Sequence, residues 1–350
     1  MAEELTVTHR NKRLGNGFTK IPHVVILGAG ASKAAFPNGT PGGLNFPLME
    51  DLVEVVGLAE LLESSGTNYQ GENFEVVFSR VAGDPQKVRL KRKLEEQIFE
   101  YFSRMQLPPE LTIYDKLILS LRDKDVIATF NWDPLLLYAY RRCGNYFQSK
   151  HFGISMPQIL FLHGNVALGV CVDDSTLGPM DSTCSKCQRR FKRVPLLYPI
   201  LKKDYILDPV IKEQWDRLRY HMANAYFATI FGYGAPVADI EAVRLMKEVW
   251  DRNPRRELAE IEIIDIASHD TLKTRWERFI VREHYRTCVS IERSYSFQHP
   301  RRSVESFFDC FLQNSPWPEN PMPDCRSFEE MANWLAPLLV EENRCLAASS

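Results

Sequence analysis

Short apolar runs alternate along the chain with longer amphipathic stretches. Each run is rich in Val, Ile or Phe and ends close to a glycine or a polar residue. Uninterrupted apolar runs of this length are typical of strands that are buried on both faces of a parallel sheet. The predicted strands cover residues 23–30, 125–130, 158–164, 226–234 and 261–266.

The stretches between these runs carry helical patterns. Apolar residues recur every four positions from Leu90 to Phe102, which is the spacing of one helix face. Strands that alternate with helices predict an α/β fold, a Rossmann-like doubly wound parallel sheet. A helical insertion is predicted at about 45–120 and a small Cys-containing module at about 165–195. Further helices are predicted at 134–142, 211–224, 237–250, 302–313 and 326–341.

The length of 350 residues suits one large domain with appendages. We expect a flexible or assembly-forming arm at 1–20, a central domain at 21–300 and C-terminal helices at 301–350. The insertion and the Cys-containing module both fall within the central domain.

Charge and cysteine usage narrow the class of protein. The net charge is −2, so direct nucleic-acid binding by the chain as a whole is not expected. No apolar run is long enough for a membrane span, and the N-terminus lacks the run of a secretory signal. Eight scattered cysteines suit a reducing compartment, which predicts a cytoplasmic protein. One basic cluster, at 186–193, is interpreted either as a solvated surface or as a contact for a partner protein or nucleic acid.

Glycine-rich or polar groups follow four of the predicted strands. The first group runs from Gly28 through Ala29 and Gly30 to Ser32. Small residues at this place let a backbone approach a phosphate, and the helix that follows offers free N–H groups. A plain strand-to-helix turn is the alternative interpretation.

The second and third groups add polar side chains at strand ends. Asn131 and Asp133 follow the second strand, where α/β sheets bind ligands, although either residue suits a helix N-cap equally well. His163 lies at the end of the third strand. It is interpreted as a base, as a group that orients a sugar hydroxyl, or as a structural histidine.

The fourth group is a second glycine-rich turn suited to phosphate or ribose, again with a plain turn as the alternative. It consists of Gly232, Tyr233, Gly234, Pro236 and Asp239.

The four groups, taken in this order and each at a strand end, resemble the catalytic domain of the sirtuin family. That family carries a Gly-Ala-Gly-x-Ser turn, a Thr-x-Asn-x-Asp motif, a His-Gly motif and a late glycine-containing loop. The resemblance runs from about residue 23 to about residue 267. It implies that the central domain is an NAD-binding catalytic domain.

The resemblance also implies a role for each residue. Asn131 would bind the nicotinamide ribose or place the attacking water, and His163 would be the catalytic histidine. Asp133 would meet the carboxamide of NAD. The remaining residues implied to contact NAD are Gly28, Ala29, Gly30, Ser32, Gly232, Tyr233, Gly234 and Asp265, the last at a strand end where the family usually has Asn.

Departures from the lysine-deacylating sirtuins indicate a different branch. The Asp-Phe-Arg sequence that follows their first turn is absent from residues 36–50, and their Phe-Gly-Glu segment is absent before the late loop. Phe130 stands where they carry Gln. These departures match divergent bacterial sirtuin-like proteins of antiphage defence, so an NAD hydrolase is favoured. An NAD-dependent lysine deacylase and a non-catalytic NAD or ADP-ribose binding module remain alternatives.

The same resemblance implies a biological setting. Proteins of that branch deplete cellular NAD in abortive infection. A short member without a separate sensor domain resembles those that assemble with a HerA-type hexameric ATPase. A homo-oligomer with such a protein partner is therefore expected.

Three cysteines suggest a structural zinc site. Cys184 and Cys187 form a Cys-x-x-Cys pair, and Cys171 lies upstream. Sirtuins hold zinc between two such pairs, but the second pair is incomplete here, with Cys143 or His151 as candidates for the fourth ligand. A degenerate module without metal is the alternative.

Overall fold

The structure is a computed structural model that describes most of the chain. The described residues are 20–150, 153–200, 205, 208–236, 239–280 and 284–347, without the side chains of 345–347. Apart from Lys20, the arm predicted at 1–20 lies outside the described residues, as does His151.

Six parallel strands form the central sheet, in the order β3-β2-β1-β7-β8-β9. All five predicted strands are confirmed. The edge strand β9 was not predicted, because its four residues are mostly half-buried and form no apolar run. The strands are β1 (His23–Leu27), β2 (Val126–Thr129), β3 (Gln158–Phe161), β7 (Phe227–Phe231), β8 (Glu260–Ile264) and β9 (Tyr285–Cys288).

Helices cover both faces of this sheet. The fold is therefore the predicted doubly wound α/β fold, with an insertion of short helices between β1 and β2. The helices are α1 (Ala29–Ala35), α2 (Leu52–Val56), α3 (Ala59–Ser64), α4 (Phe74–Gly83), α5 (Val88–Ser103), α6 (Ile113–Leu119), α7 (Leu135–Ser149), α8 (Pro209–Asn224), α9 (Ile240–Asp251), α10 (His269–Trp276), α11 (Tyr295–Gln298), α12 (Ser303–Leu312) and α13 (Phe328–Ala347).

The central strand β1 shows why the predicted strands are continuously apolar. Val25 and Leu27 pack into a core formed with the insertion and α7. Val24 and Ile26 point to the other face and pack against α8 and α9. Because successive side chains of a strand alternate between faces, a sheet covered on both sides needs apolar residues at every position.

The strand order reverses at β1. The chain proceeds from β1 outwards to β2 and β3, and then returns to the other side of β1 for β7, β8 and β9. The helices that follow β1 and β7, α1 and α9, pack in the cores on opposite faces of the sheet, which opens a crevice at this edge.

The Cys-containing module forms a separate three-stranded antiparallel sheet, in the order β5-β4-β6. Its strands are β4 (Leu168–Val170), β5 (Leu177–Pro179) and β6 (Lys192–Arg193), which are too short to leave a periodic pattern in the sequence.

The C-terminal helices pack against the main body of the protein. Phe307 of α12 is buried against Phe227 of β7, with ring centroids 5.2 Å apart. Arg301 and Glu342 form a buried ion pair that connects the start of this region to α13. Within the described ranges, none of the helices combines the length and the apolar character that a membrane crossing requires.

Candidate active site

A cavity of about 620 Å³ opens at the carboxyl edge of the sheet, over β1, β2 and β7. This volume lies within the range of small-molecule and cofactor sites. All the residues predicted to be catalytic or to contact NAD line this one cavity. They are Gly28, Ala29, Gly30, Ser32, Asn131, Asp133, His163, Gly232, Tyr233, Gly234 and Asp265.

Two glycine-rich loops of the cavity dock against each other. The Gly28 N–H donates to the Phe231 carbonyl oxygen at 3.0 Å, and the Gly30 N–H donates to that of Gly232 at 2.9 Å. Gly232 adopts a φ of +59°, and a Cβ there would lie 2.2 Å from the Ala31 nitrogen. The close approach of the two backbones accounts for glycine at positions 28, 30 and 232 but not at 234, where a Cβ would have space.

The Ser32 hydroxyl links the first loop to the second. It donates to Asp133 Oδ2 at 2.7 Å and accepts from Asn131 Nδ2 at 2.9 Å. The Tyr114 hydroxyl lies 2.6 Å away and serves as its second donor. A serine hydroxyl has one proton and two lone pairs, so its capacity is filled. Ser32 thus positions Asn131 and Asp133, and the predicted contact of its hydroxyl with NAD would require one of these bonds to break.

Asn131 has its amide orientation determined by the backbone. Its Nδ2 also donates to the Gly28 carbonyl oxygen at 2.9 Å, and a carbonyl oxygen only accepts. Asn131 Oδ1 is therefore the amide atom that remains to accept a hydrogen bond from a water or a hydroxyl in the cavity.

Asp133 is not the N-cap of α7, which is Pro134, but its side chain contacts the start of that helix. Its Oδ1 accepts from the backbone N–H of Leu135, the first residue of α7, at 3.1 Å. Burial raises the pKa of this carboxyl group, and the bonds from Ser32 and Leu135 oppose that rise. Both carboxylate oxygens of Asp133 therefore accept hydrogen bonds, and the residue also lines the cavity.

His163 lies in an aromatic corner of the cavity and is almost fully buried. The Phe130 ring meets it edge-on with centroids 4.8 Å apart, and the Tyr205 ring stacks beside it at 5.8 Å. His163 Nε2 is 3.3 Å from the Tyr205 hydroxyl and 3.6 Å from Asp239 Oδ1. The imidazole thus faces both a phenol and a carboxylate.

Tyr233 closes this corner from the late loop. Its ring stacks on that of Phe130, with centroids 4.2 Å apart and planes within 5°. Its hydroxyl donates to Asp239 Oδ2 at 3.1 Å. Burial, followed by the nearby Asp239 carboxylate, raises the pKa of Tyr233 well above its usual value, so the phenol stays protonated.

Asp265 lies at the far side of the cavity, after β8. Its Oδ1 accepts from the Ala267 N–H at 2.9 Å, and its Oδ2 lies 3.7 Å from Arg275 Nη1. The Asp265 side chain is 18% exposed and lines the cavity.

Several residues of the site escaped sequence reasoning. Tyr114 and Tyr205 lie in segments without a motif, and Glu75 comes from the helical insertion. Asp239, by contrast, was already named in the fourth group, and the structure adds its proximity to His163. The acidic residues that line the cavity are Glu50, Glu75, Asp133, Asp239, Asp265 and Glu292.

A candidate metal centre lies in the Cys-containing module, outside this cavity. The sulfur atoms of Cys171, Cys184 and Cys187 and a carboxylate oxygen of Asp174 all lie within 4.8 Å of one another. Cys171 Sγ is 3.4 Å from Cys187 Sγ, and Asp174 Oδ2 is 3.2 Å from Cys184 Sγ. A tetrahedral zinc ion with bonds of about 2.0–2.3 Å spaces its ligands about 3.3–3.8 Å apart, so these four atoms fit zinc.

Cys143, one of the two candidates for the fourth ligand, does not belong to this group. Cys143 is buried in α7, where its thiol donates to Asp115 Oδ1 at 3.7 Å. Asp174 takes that place instead, because it stands three residues after Cys171 just as Cys187 stands three residues after Cys184. A search for cysteine and histidine alone overlooked this Cys-x-x-Asp pair.

Solved structures of Sir2 proteins are similar to the chain over much of its length. A Sir2 homolog in complex with NAD is 14% identical, with 87% of this chain and 94% of that chain covered and a TM-score of 0.40. Sir2 bound to an inhibitor, 2'-O-acetyl-ADP-ribose and a deacetylated peptide is 12% identical, with 88% and 98% covered and a TM-score of 0.36. No family model matches the chain, and no curated protein sequence matches it.

Proposed function

We propose that this protein is an NAD glycohydrolase that cleaves the bond between nicotinamide and ribose, giving nicotinamide and ADP-ribose. One observation carries the proposal. Four strand-end groups that are far apart in the sequence, together with Asp265, line a single cavity at the point where the strand order reverses. Open α/β sheets bind dinucleotides at this point.

The reaction does not require the protein to form a covalent bond to the substrate. As the bond between ribose C1′ and the pyridinium nitrogen breaks, nicotinamide leaves with the electron pair and the ribose gains oxocarbenium character. A water then forms the new bond to C1′ and loses a proton. Asn131 Oδ1 is oriented to hold that water or a ribose hydroxyl, and the His163 imidazole accepts the proton. The acidic lining suits the positive charge that develops.

The surroundings of His163 favour hydrolysis over lysine deacylation. A deacylase must admit an acyl-lysine side chain beside its catalytic histidine. Here Phe130, at the position where deacylases carry Gln, and Tyr205 pack against the imidazole, and the His163 side chain is 5% exposed. This enclosure supports water rather than a protein side chain as the acceptor.

The test is nicotinamide release from NAD by the purified chain and by its variants. Replacing Asn131→Ala or His163→Ala is expected to lower kcat by roughly 10²-fold or more, because each removes a group that holds water or accepts its proton. His284→Ala, a histidine outside the cavity, serves as the matched control and is expected to retain full turnover.

Full turnover by both site variants would contradict the assignment. An acetylated peptide included in the assay separates the alternatives, since a deacylase consumes NAD only together with the peptide. Binding of NAD without any turnover would favour the non-catalytic binding module.

We further propose that this activity depletes cytoplasmic NAD in antiphage defence, and that the chain works as a homo-oligomer with a HerA-type ATPase. These proposals follow from the resemblance of the motifs to that branch of sirtuin-like proteins. Measurement of cellular NAD after phage infection tests the first, and native mass spectrometry of the chain mixed with such an ATPase tests the second. A monomer that captures no ATPase would contradict the assembly.

A further inference from the structure

We infer that Asp239 is a positioning residue for His163, whose carboxylate orients the imidazole and offsets its charge when it accepts a proton. The inference rests on the proposed hydrolysis of NAD. It assigns to the late loop a part in the chemistry beyond contact with phosphate or ribose.

The geometry of the two side chains carries the inference. Asp239 Oδ1 lies 3.6 Å from His163 Nε2, which is the separation of an ion pair, and both side chains are 5% exposed. A carboxylate removed from water interacts more strongly with a nearby charge than an exposed one does. An imidazole that takes a proton from the attacking water becomes a cation, and Asp239 lies where it would stabilise that cation without itself gaining the proton.

Asp239 is itself held in place from two directions. Its other oxygen, Oδ2, accepts from the Tyr233 hydroxyl, and the Tyr233 ring is fixed by its stack on Phe130. The residue also stands at the start of the twelve-residue helix α9, where the helix dipole favours a negative charge. The carboxylate is therefore anchored independently of His163, as a positioning group must be.

A purely structural role for Asp239 predicts a different response to substitution. Asparagine keeps the size of the side chain and its ability to accept from Tyr233, and it starts helices as well as aspartate does. It removes only the charge. Asp239→Asn therefore separates the electrostatic role from the structural one, whereas Asp239→Ala removes both.

The experiment compares kcat and NAD affinity for Asp239→Asn and Asp239→Ala. Both variants are expected to lose roughly 10²-fold in kcat, while Asp239→Asn binds NAD with nearly the affinity of the wild type and keeps its thermal unfolding midpoint. Asp208→Asn is the control, because Asp208 is also the N-cap residue of a helix, α8, but lies outside the cavity. Its side chain accepts from the N–H groups of Val210 and Ile211, which asparagine can also do, and we expect this variant to retain full turnover.

A double-variant cycle tests whether Asp239 acts through His163. In a His163→Ala background, Asp239→Asn is expected to cause no further loss, because the group that it assists is already gone. Wild-type turnover by Asp239→Asn, or an equal loss in both backgrounds, would overturn the inference while leaving the hydrolase assignment intact. If the wild-type chain releases no nicotinamide, alone or with an ATPase partner, the proposed function itself fails.

Discussion

At Gly232 two backbones of the cavity come closer than a side chain permits. Gly232→Ala is expected to destabilise the protein by at least about 2 kcal/mol, since the left-handed conformation alone costs an L-residue about 1–2 kcal/mol and the added Cβ meets the Ala31 nitrogen at 2.2 Å. NAD hydrolysis should fall with it, because the two loops can no longer dock. Urea unfolding and the nicotinamide assay measure the two effects.

Gly43 offers the matched control for this prediction. Its φ is +74°, but nothing lies within 4 Å of a Cβ placed there. Gly43→Ala is therefore expected to lower the free energy of unfolding only through the backbone conformation. If the two variants unfold at the same urea concentration, docking of the loops does not constrain Gly232.

His23 makes the stability of the protein depend on pH. Its Nε2 lies 2.8 Å from Thr229 Oγ1, and Thr229 donates its own proton to Glu262 Oε2, so Nε2 must be the donor and Nδ1 accepts from Ser303. Burial lowers the pKa of this neutral imidazole from 6.5 to about 3.

The sign of the effect follows from proton binding by the two states. Between pH 6.5 and about pH 3 the unfolded chain holds a proton on His23 that the folded protein lacks, so stability is lost as the pH falls. The loss is up to about 1.4 kcal/mol per pH unit. Urea unfolding at pH 7.5 and pH 5 should show that the free energy of unfolding changes less with pH in His23→Gln than in the wild type. An equal change in the two proteins would contradict this prediction.

At the scale of elements, the Cys-containing module consists of two similar turns. The N–H of Cys171 donates to the carbonyl oxygen five residues later, and the N–H of Cys184 does the same, both at 2.8 Å. The residue that follows each pair, Ser175 or Gln188, has a positive φ. The two turns thus present Cys171, Asp174, Cys184 and Cys187 to one point, in the manner of paired zinc-binding turns.

We expect about one zinc ion per chain in protein purified without a chelator. Cys184→Ser and Asp174→Ala should lower the zinc content, and Asp174→Cys should tighten binding, because it completes a second Cys-x-x-Cys pair. Cys143→Ser is the control, since that thiol lies in the main core. Elemental analysis gives the zinc content of each variant. A wild-type protein without zinc would support the metal-free alternative.

At the scale of the whole molecule, Arg301 joins the C-terminal region to the rest of the protein. Its Nε donates to Glu342 at 2.7 Å, and its remaining N–H groups reach Leu119, Leu121 and Ser155 as well as Glu342. Arg301 and Glu342 are both buried. Arg301 therefore satisfies acceptors from three separate parts of the chain.

Arg301→Ala is expected to cost about 3–5 kcal/mol of unfolding free energy, because it leaves Glu342 buried with its main partner removed. Arg217→Ala, which breaks an exposed pair with Glu213 four residues earlier, should cost less than about 1 kcal/mol. Chemical unfolding of both variants measures the difference. Similar small costs would indicate that α13 contributes little to the stability of the sheet.

Much of the fold was predictable from local patterns. The five predicted strands were recognisable because a strand covered on both faces is largely apolar, and that composition is visible in a few consecutive residues. The edge strand β9 and the strands of the Cys-containing module were not predicted, since short or half-exposed strands lack such a run. The domain boundaries at 20 and 300 stay predictions.

The residues that line the cavity were also predictable from local patterns, but the side chains with which they form hydrogen bonds were not. Parallel strands end at one edge of their sheet, so groups at strand ends converge, and the residues from Gly28 to Asp265 do so. Tyr114, Tyr205 and Asp174 carry no such positional signal. Their relevance depends on which side chains lie within about 3 Å, a distance that folding decides.

The sequence by itself determined five of the six strands of the central sheet, their order of appearance and the polar groups that end them, because these depend on neighbours along the chain. The tertiary structure decided how each group is used. It placed the Ser32 hydroxyl between Asn131 and Asp133, and it placed His163 beside Asp239. Buried polar groups must find partners, and only the three-dimensional arrangement determines which partners come within reach.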